Sequence, residues 1–98
     1  MTYSLELSAL ALDDLADVWE FYVSIDLAHL AQRRVDEIIE RAQELRVFPE
    51  IGESRNELER NLRKVRSGQH LIFYRIIGDA IVVRRVLHAK SDLEQEFE

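Results

Sequence analysis

The sequence predicts an α+β fold in which an N-terminal helical hairpin packs on a small antiparallel sheet, in the order β-α-α-β-β-β, with a short C-terminal helix. Three observations predict this class. Apolar residues recur at helical spacing through the first half of the chain, β-branched and aromatic residues dominate after Gly52, and Gly78-Asp79 separates two apolar runs. At 98 residues the chain is the size of one domain, so we expect residues 1–98 to form a single unit.

The first half of the chain predicts one strand followed by two helices. The alternating segment "TYSLEL" is typical of a strand, and Ser8 is the expected N-cap of the first helix. The apolar stripe of that helix is predicted to consist of Leu12, Leu15, Trp19 and Tyr22. Asp26 is the expected N-cap of the second helix, which ends before Pro49. Its stripe is predicted to consist of Leu27, Ala31, Val35, Ile38, Ala42 and Leu45. Because so few residues separate the helices, they should pack antiparallel.

The runs "HLIFYRII" and "AIVVRRVL" predict a β-hairpin closed by a type II′ turn at Gly78-Asp79. A regular register from this turn places Ile77 opposite Ala80 and Phe73 opposite Arg84. One face should pack against the helices: Ile72, Tyr74, Ile76, Ile81, Val83 and Leu87, with His70 and Arg85 at its far end. The other face should point toward solvent or a partner: Leu71, Phe73, Arg75, Val82, Arg84, Val86 and His88.

Charge is distributed unevenly along the chain. The net charge of −6 argues against direct binding of free nucleic acid. Residues 1–44 carry ten acidic and three basic side chains, whereas residues 60–90 carry eight basic side chains and one acid, Asp79. This asymmetry indicates either a partner for the basic half or attraction between the two halves of the chain.

The basic half is the predicted binding surface. Its cations are Arg60, Arg63, Lys64, Arg66, Arg75, Arg84, Arg85 and Lys90. The residues expected to contact a partner are Arg63, Lys64, Arg66, Leu71, Phe73, Arg75, Arg84, Val86 and His88. Apolar side chains beside cations are typical of a buried interface, and arginine suits bidentate contacts with carboxylates. The alternative is a solvated charged surface with no partner.

Other classes of site and location are not indicated. The chain has no cysteine, so it has no disulfide or thiolate metal site. A helix N-terminus explains Asp13, Asp14 and Asp17 better than a metal cluster does, and no phosphate-loop or zinc pattern occurs, so we expect neither metal nor cofactor. The opening residues do not resemble a signal peptide, and no apolar run approaches about 18 residues. We therefore expect a cytoplasmic protein without membrane contact.

A catalytic alternative can be written for the same segment. Cleavage of RNA needs a general base, a general acid and a cation, which His88, Arg84, Arg75 and Tyr74 could supply. The chain ends in "DLEQEFE", which places carboxylates rather than cations near a bound phosphate, so no catalytic residue is the leading expectation. Ser91-x-x-Glu94 is a capping-box pattern, and it predicts a last helical turn that packs Leu93 and Phe97 against the body of the domain. The alternative is a frayed C-terminal tail.

The chain resembles ParE toxins, within the RelE/ParE superfamily, along nearly its whole length. The segment "NLRKVRSGQHLIFYRIIGDAIVVRRVLHAKSD" is similar to their C-terminal half. The matching residues are Leu62-Arg63, Ser67-Gly68, His70, Phe73-Tyr74-Arg75, Arg85-Val86-Leu87-His88 and Asp92. "LSALALDDLADVWEFY" and "FPEIGESRNEL" resemble the opening helix and the link that follows the helices. Asn61 stands where the family usually has Gly, and Ser91 where Met or Arg is common.

The resemblance implies the toxin of a type II toxin–antitoxin pair. Such a toxin is neutralised by a ParD-type antitoxin and poisons DNA gyrase by binding, without an active site of its own. Two alternatives follow from the same resemblance. One is a RelE-like ribosome-dependent mRNA endonuclease. The other is a degenerate toxin that still binds its antitoxin but poisons nothing, which Asn61 and Ser91 motivate.

Overall fold

A computed structural model describes residues 2–98 of the chain. The elements are β1 (Ser4–Leu7), α1 (Ala9–Ser24), α2 (Ala28–Glu44), β2 (Glu53–Ser54), β3 (Arg63–Ser67), β4 (His70–Ile77), β5 (Ala80–His88) and α3 (Leu93–Glu96). The strands form one sheet in the order β1-β5-β4-β3-β2. The predicted fold class is confirmed, with two differences. A two-residue strand, β2, is added at one edge, and the sheet is mixed because β1 runs parallel to β5.

Helix α1 begins where the sequence predicts but buries a different stripe. Ser8 is the N-cap, and its hydroxyl oxygen accepts a hydrogen bond from the Ala11 N–H at 3.0 Å. The buried apolar residues are Ala11, Leu15 and Val18, whereas Trp19 is 40% exposed, so the predicted stripe is wrong in part. Helix α1 has two overlapping apolar stripes, one through Ala11 and Val18 and one through Leu12 and Trp19, and both include Leu15. Spacing alone does not show which of them faces the core. The side with the small Ala11 faces the core, because α1 packs closely on both α2 and β5.

Helix α2 confirms its predicted stripe but not its predicted cap. Ala31, Ile38, Ala42 and Leu45 are all buried. The N-cap position is Leu27, which has no side-chain capping bond, so the assignment of Asp26 as the cap is wrong. Asp26 instead has a φ of 64°, a left-handed conformation that turns the chain sharply between the two helices. None of the helices described between residues 2 and 98 is long and apolar enough to cross a membrane.

The β4–β5 hairpin has the predicted turn but not a regular register. Gly78 has a φ of 60° and Asp79 is not left-handed, as in a type II′ turn. Pairing follows the prediction from Ile77↔Ala80 to Tyr74↔Val83, but then a bulge places Phe73 opposite Arg85 instead of Arg84. One extra residue in β5 reverses which face each later side chain occupies.

The bulge corrects three face assignments. Val86 packs in the core beneath the helices, and Leu87 packs on the opposite face, so the predicted positions of these two are exchanged. His88 pairs with His70 and lines a groove beside α1, so it does not lie on the predicted partner face.

The sheet face opposite the helices is covered by the chain itself. Phe73 is fully buried there, in a second apolar cluster with Leu62, Leu71 and Leu87. Leu58, Ala89, Leu93 and Phe97 pack over that cluster. The expectation that Leu71 and Phe73 point toward solvent or a partner is therefore wrong, because the α3 segment and the β2–β3 connection lie over them. The predicted packing of Leu93 and Phe97 is confirmed, although Asp92 rather than Ser91 is the N-cap of α3.

Candidate functional site

The arginines of the predicted partner face are paired with a carboxylate of the same chain. Arg84 donates two hydrogen bonds to Glu59, from Nε to Oε2 at 3.1 Å and from Nη2 to Oε1 at 3.0 Å. The Nη1 atom of Arg75 lies 4.0 Å from Oε2 of the same Glu59. The Nε atom of Arg75 is buried without a hydrogen-bond partner among the described residues. Glu59, which the sequence did not single out, thus partly neutralises both arginines.

The other predicted cations are divided between the two faces of the sheet. Directly paired residues of an antiparallel sheet share a face. Lys64 pairs with Phe73 and Arg66 with Leu71, which places both cations on the face away from the helices. Lys64 lies 3.3 Å from Glu53. Arg63 pairs with Tyr74 and so lies on the helix face, where it donates to the carbonyl oxygens of Glu50 and Gly52. We call Lys64, Arg66, Arg75 and Arg84 the cationic face.

A buried ion pair joins α1 to β5. Arg85 Nε and Nη2 donate to the two carboxylate oxygens of Asp14 at 2.8 and 2.9 Å, and the backbone N–H of Val86 donates to Asp14 Oδ2 at 2.8 Å. Glu96 of α3 lies 2.9 Å from Arg85 Nη2. The hydrogen bond to Asp14 is the main cause of the raised pKa of Arg85, and burial opposes it. The sequence contains one indication of this ion pair, which is that Asp14 lies next to the apolar positions of α1.

Tyr74 has a structural position. Its hydroxyl donates to the carbonyl oxygen of Pro49 at 2.7 Å and accepts from the N–H of Gly52 at 2.9 Å. Burial is the largest influence on the Tyr74 hydroxyl and raises its pKa. A Cβ atom at Gly52 would lie 2.6 Å from Tyr74 Cε1, so only glycine allows this contact. The hydroxyl therefore fastens the end of the α2–β2 connection to the sheet.

A groove of about 580 Å³ lies between α1 and the far end of the β4–β5 hairpin. We call it the α1 groove. It is lined by Asp14, Asp17, Val18, Phe21, Tyr22, Gln69, His70, Arg85, Val86, Leu87, His88, Ser91 and Glu96. The rings of His70 and His88 meet edge to face at 5.6 Å. Burial, followed by the charges of His88 and Arg34, lowers the pKa of His70. His88 Nδ1 accepts the N–H of Lys90 at 3.1 Å, which leaves Nε2 to carry the proton of the neutral ring.

The four residues of the catalytic alternative do not form one constellation. Tyr74 is buried with its hydroxyl occupied by backbone groups, Arg75 and Arg84 face Glu59, and His88 lines the α1 groove on the helix side of the sheet. Within residues 2–98, no group of three or more His, Asp or Glu side chains is arranged to hold a metal ion. The two surfaces that stand out are the cationic face and the α1 groove.

A helical hairpin on one side of a five-stranded mixed sheet, with a short C-terminal helix on the other, is the fold of ParE- and RelE-type toxins. The structure is similar to that of the chromosomal ParDE TA system from P. aeruginosa, with a TM-score of 0.78, 21% identity and coverage of 89% of this chain and 96% of that one. It is also similar to the toxin–antitoxin complex RelBE2 from Mycobacterium tuberculosis, with a TM-score of 0.68, 24% identity and coverage of 90% and 99%. At these identities the likeness establishes the fold.

Sequence comparison establishes the family. Residues 5–93 match the family described as "ParE toxin of type II toxin-antitoxin system, parDE". The chain is 31% identical over 95 residues to Toxin ParE1 of two Mycobacterium tuberculosis strains, CDC 1551 / Oshkosh and ATCC 25618 / H37Rv, covering 93% of this chain and 94% of each relative. The chain belongs to the ParE toxin family and is a toxin of the type II toxin–antitoxin class.

Proposed function

We propose that this chain inhibits bacterial DNA gyrase by binding it and that a ParD-type antitoxin neutralises it. The observation that carries the proposal is the family match over residues 5–93, because ParE toxins are the family whose resemblance implies a gyrase target. The similar P. aeruginosa structure is that of a ParDE system, which supports a ParD-type partner. The mechanism is binding, so the relevant features are surfaces rather than an active site.

We place the antitoxin contact on the cationic face. Arg84 and Arg75 share the carboxylate of Glu59, and Lys64 lies beside Glu53. Acidic side chains of an antitoxin would compete with these two glutamates for the same cations. Exchanging one carboxylate for another preserves the bidentate geometry of Arg84, so the chain's own ion pairs do not block such contacts. Leu71 and Phe73 lie beneath Phe97 and support this surface from below. Arg63, Val86 and His88 lie on the helix side, outside this surface.

The gyrase target is tested by a supercoiling assay with the purified chain, bacterial DNA gyrase and relaxed plasmid. The expected result is loss of supercoiled product as the chain is added. Unaffected supercoiling at a large molar excess over gyrase would reject the target. Codon-linked mRNA cleavage in a translation extract would instead assign the chain to the RelE-like endonucleases. Harmless expression of a chain that still binds its antitoxin would identify a degenerate toxin.

The antitoxin surface is tested by Arg84→Gln, with Arg33→Gln as the matched control. Arg33 lies on α2 with 72% of its side chain exposed, far from the cationic face. Titration calorimetry with a cognate ParD-type antitoxin should show weaker binding for Arg84→Gln, by about tenfold or more, and unchanged binding for Arg33→Gln. Equal affinities of the two variants would remove the cationic face from the interface.

A further inference from the structure

We propose that the α1 groove binds an arginine or lysine side chain carried on an apolar segment of a partner protein. This surface lies on the helix side of the sheet and has the opposite charge to the cationic face. The proposal goes beyond the gyrase and antitoxin assignments and does not depend on either of them. It rests on the charge balance of the groove, on its aromatic wall and on its size.

The groove carries more negative than positive charge. Arg85 is its one arginine or lysine, whereas three carboxylates line it, from Asp14, Asp17 and Glu96. Asp14 is occupied by Arg85 through two hydrogen bonds, and Glu96 shares the same guanidinium. The exposed carboxylate of Asp17 makes no ion pair within residues 2–98. The single positive charge of Arg85 therefore offsets only one of the three negative charges. The excess negative charge attracts a cation from a partner.

The His70 ring contributes little positive charge to this balance. Burial, together with the nearby charges of His88 and Arg34, lowers the pKa of His70, which favours its neutral ring. His88 Nδ1 accepts a backbone hydrogen bond from Lys90. Helix α1, which forms one wall of the groove, contains no lysine or arginine. The carboxylates and the one arginine of the lining therefore leave the groove with an excess of negative charge.

The wall of the groove suits the flat face of a guanidinium or the stem of a lysine. Phe21 is 56% exposed, and its ring meets that of Tyr22 edge to face at 5.3 Å. Tyr22 already accepts a cation, because the guanidinium carbon of Arg34 lies 5.9 Å from its ring centroid. Phe21 has no such partner within residues 2–98. A second cation over Phe21, near the carboxylate of Asp17 on the same helix, would repeat the arrangement already present at Tyr22.

The dimensions of the groove favour a chain segment over a free ion. A space of about 580 Å³ lies within the range of sites that enclose a drug-sized ligand, well above what one basic side chain fills. Val18 and Val86 line it and offer apolar contact to the neighbours of that side chain. The complementary ligand is therefore a short segment in which a basic residue is flanked by aliphatic ones.

The test uses the full chain and the peptide Ac-Leu-Arg-Leu-Ala-NH₂, with a matched peptide in which citrulline replaces arginine. Citrulline keeps the shape of arginine and removes its charge. In a titration followed by ¹⁵N–¹H NMR spectra, the arginine peptide should shift the amide signals of Val18, Phe21 and Val86 and bind about fivefold or more tightly than the citrulline peptide. Equal affinity of the two peptides, shifts elsewhere on the chain, or no shifts at millimolar peptide would overturn the proposal.

A pair of variants on α1 separates the groove from general charge effects. Asp17→Asn should weaken binding of the arginine peptide by about fivefold, because it removes the carboxylate that lacks an internal partner. Asp13→Asn removes the same charge from an exposed position on the same helix outside the groove and should leave the affinity unchanged. Equal weakening by both variants would mean that overall charge, and not the groove, attracts the peptide. Because both sites are exposed, well-dispersed spectra will verify that each variant is folded. The readout is peptide binding to the isolated chain, so a failed gyrase assay leaves it unaffected.

Discussion

Arg85 on β5 and Asp14 on α1 form a two-point ion pair, with N–O distances of 2.8 and 2.9 Å, and only 15% and 8% of their side chains are exposed. The pair connects the first helix to the last strand, more than seventy residues later in the chain. It also occupies one end of the α1 groove, and through Glu96 it holds α3 in place. A single contact thus couples the packing of the helical hairpin, the C-terminal segment and the acidic groove.

Replacing Asp14 by Asn should lower the free energy of unfolding by about 2–4 kcal/mol. The change leaves Arg85 buried with only Glu96 as a charged partner, and breaking a buried pair from one side is strongly destabilising. Urea denaturation monitored by circular dichroism will measure the loss. The double variant Asp14→Leu/Arg85→Met should be more stable than either single change, because neither charge is then left unpaired. A loss below about 0.5 kcal/mol for Asp14→Asn would show that the pair contributes little.

Replacing Gly52 by Ala should destabilise the fold more than the same change at Gly68. The new methyl group would lie 2.6 and 2.8 Å from ring atoms of Tyr74, which is itself fully buried, so we expect a loss of about 2–3 kcal/mol. Gly68 has a φ of 58° and open space around its Cα, so Gly68→Ala should cost about 1 kcal/mol from backbone strain alone. Thermal melts of both variants make the comparison. Equal losses would indicate that the α2–β2 connection yields to the methyl group.

Asn61 occupies a position that favours glycine. Its φ is 62°, and its N–H donates to Asn56 Oδ1 at 2.8 Å. Asn61→Gly should therefore change the free energy of unfolding by less than about 0.5 kcal/mol, whereas Asn61→Ala should lower it by about 1 kcal/mol. Chemical denaturation of the two variants will measure this. If Asn61→Ala leaves the free energy of unfolding unchanged, the positive φ does not explain why Asn can replace the Gly that is usual in the family at this position.

The stability of the fold should fall on mild acidification because of His70. Burial lowers the pKa of His70 in the folded state, so between that value and the unfolded value of about 6.5 the unfolded chain binds the proton more strongly. The contribution of the neutral His70 ring to the free energy of unfolding is fully present above about pH 6.5. It is lost as the pH falls below that value. His70→Gln should therefore flatten the decline of melting temperature between about pH 7.5 and 5.5.

The control for that measurement is His29→Gln, which removes a histidine from the exposed side of α2. If this control flattens the profile as much as His70→Gln does, the decline does not come from His70. If neither variant changes the profile, other titrating groups are responsible.

Much of the fold could be predicted because its signals are local. The Ser8 cap, the apolar stripe of α2, the type II′ turn at Gly78-Asp79 and the last helical turn each depend on residues a few positions apart. Cap, turn and periodicity rules describe short-range sterics and hydrogen bonding, so they can be applied without knowledge of the tertiary structure. The resemblance to ParE toxins likewise required only the linear pattern of residues.

The candidate site was predicted less well, because it depends on contacts between distant parts of the chain. The bulge beside Tyr74 turns Val86 toward the helices and Leu87 toward the opposite face. No local sequence pattern predicts this bulge. The pairing of Asp14 with Arg85 and the position of Glu59 between two arginines likewise join residues remote in sequence. By itself, the sequence determined the helices, the strands other than β2, the family and the presence of abundant basic charge. Only the tertiary structure decided which charges remain available, because a charge already matched by a neighbour across the fold attracts a partner less strongly than an unmatched one.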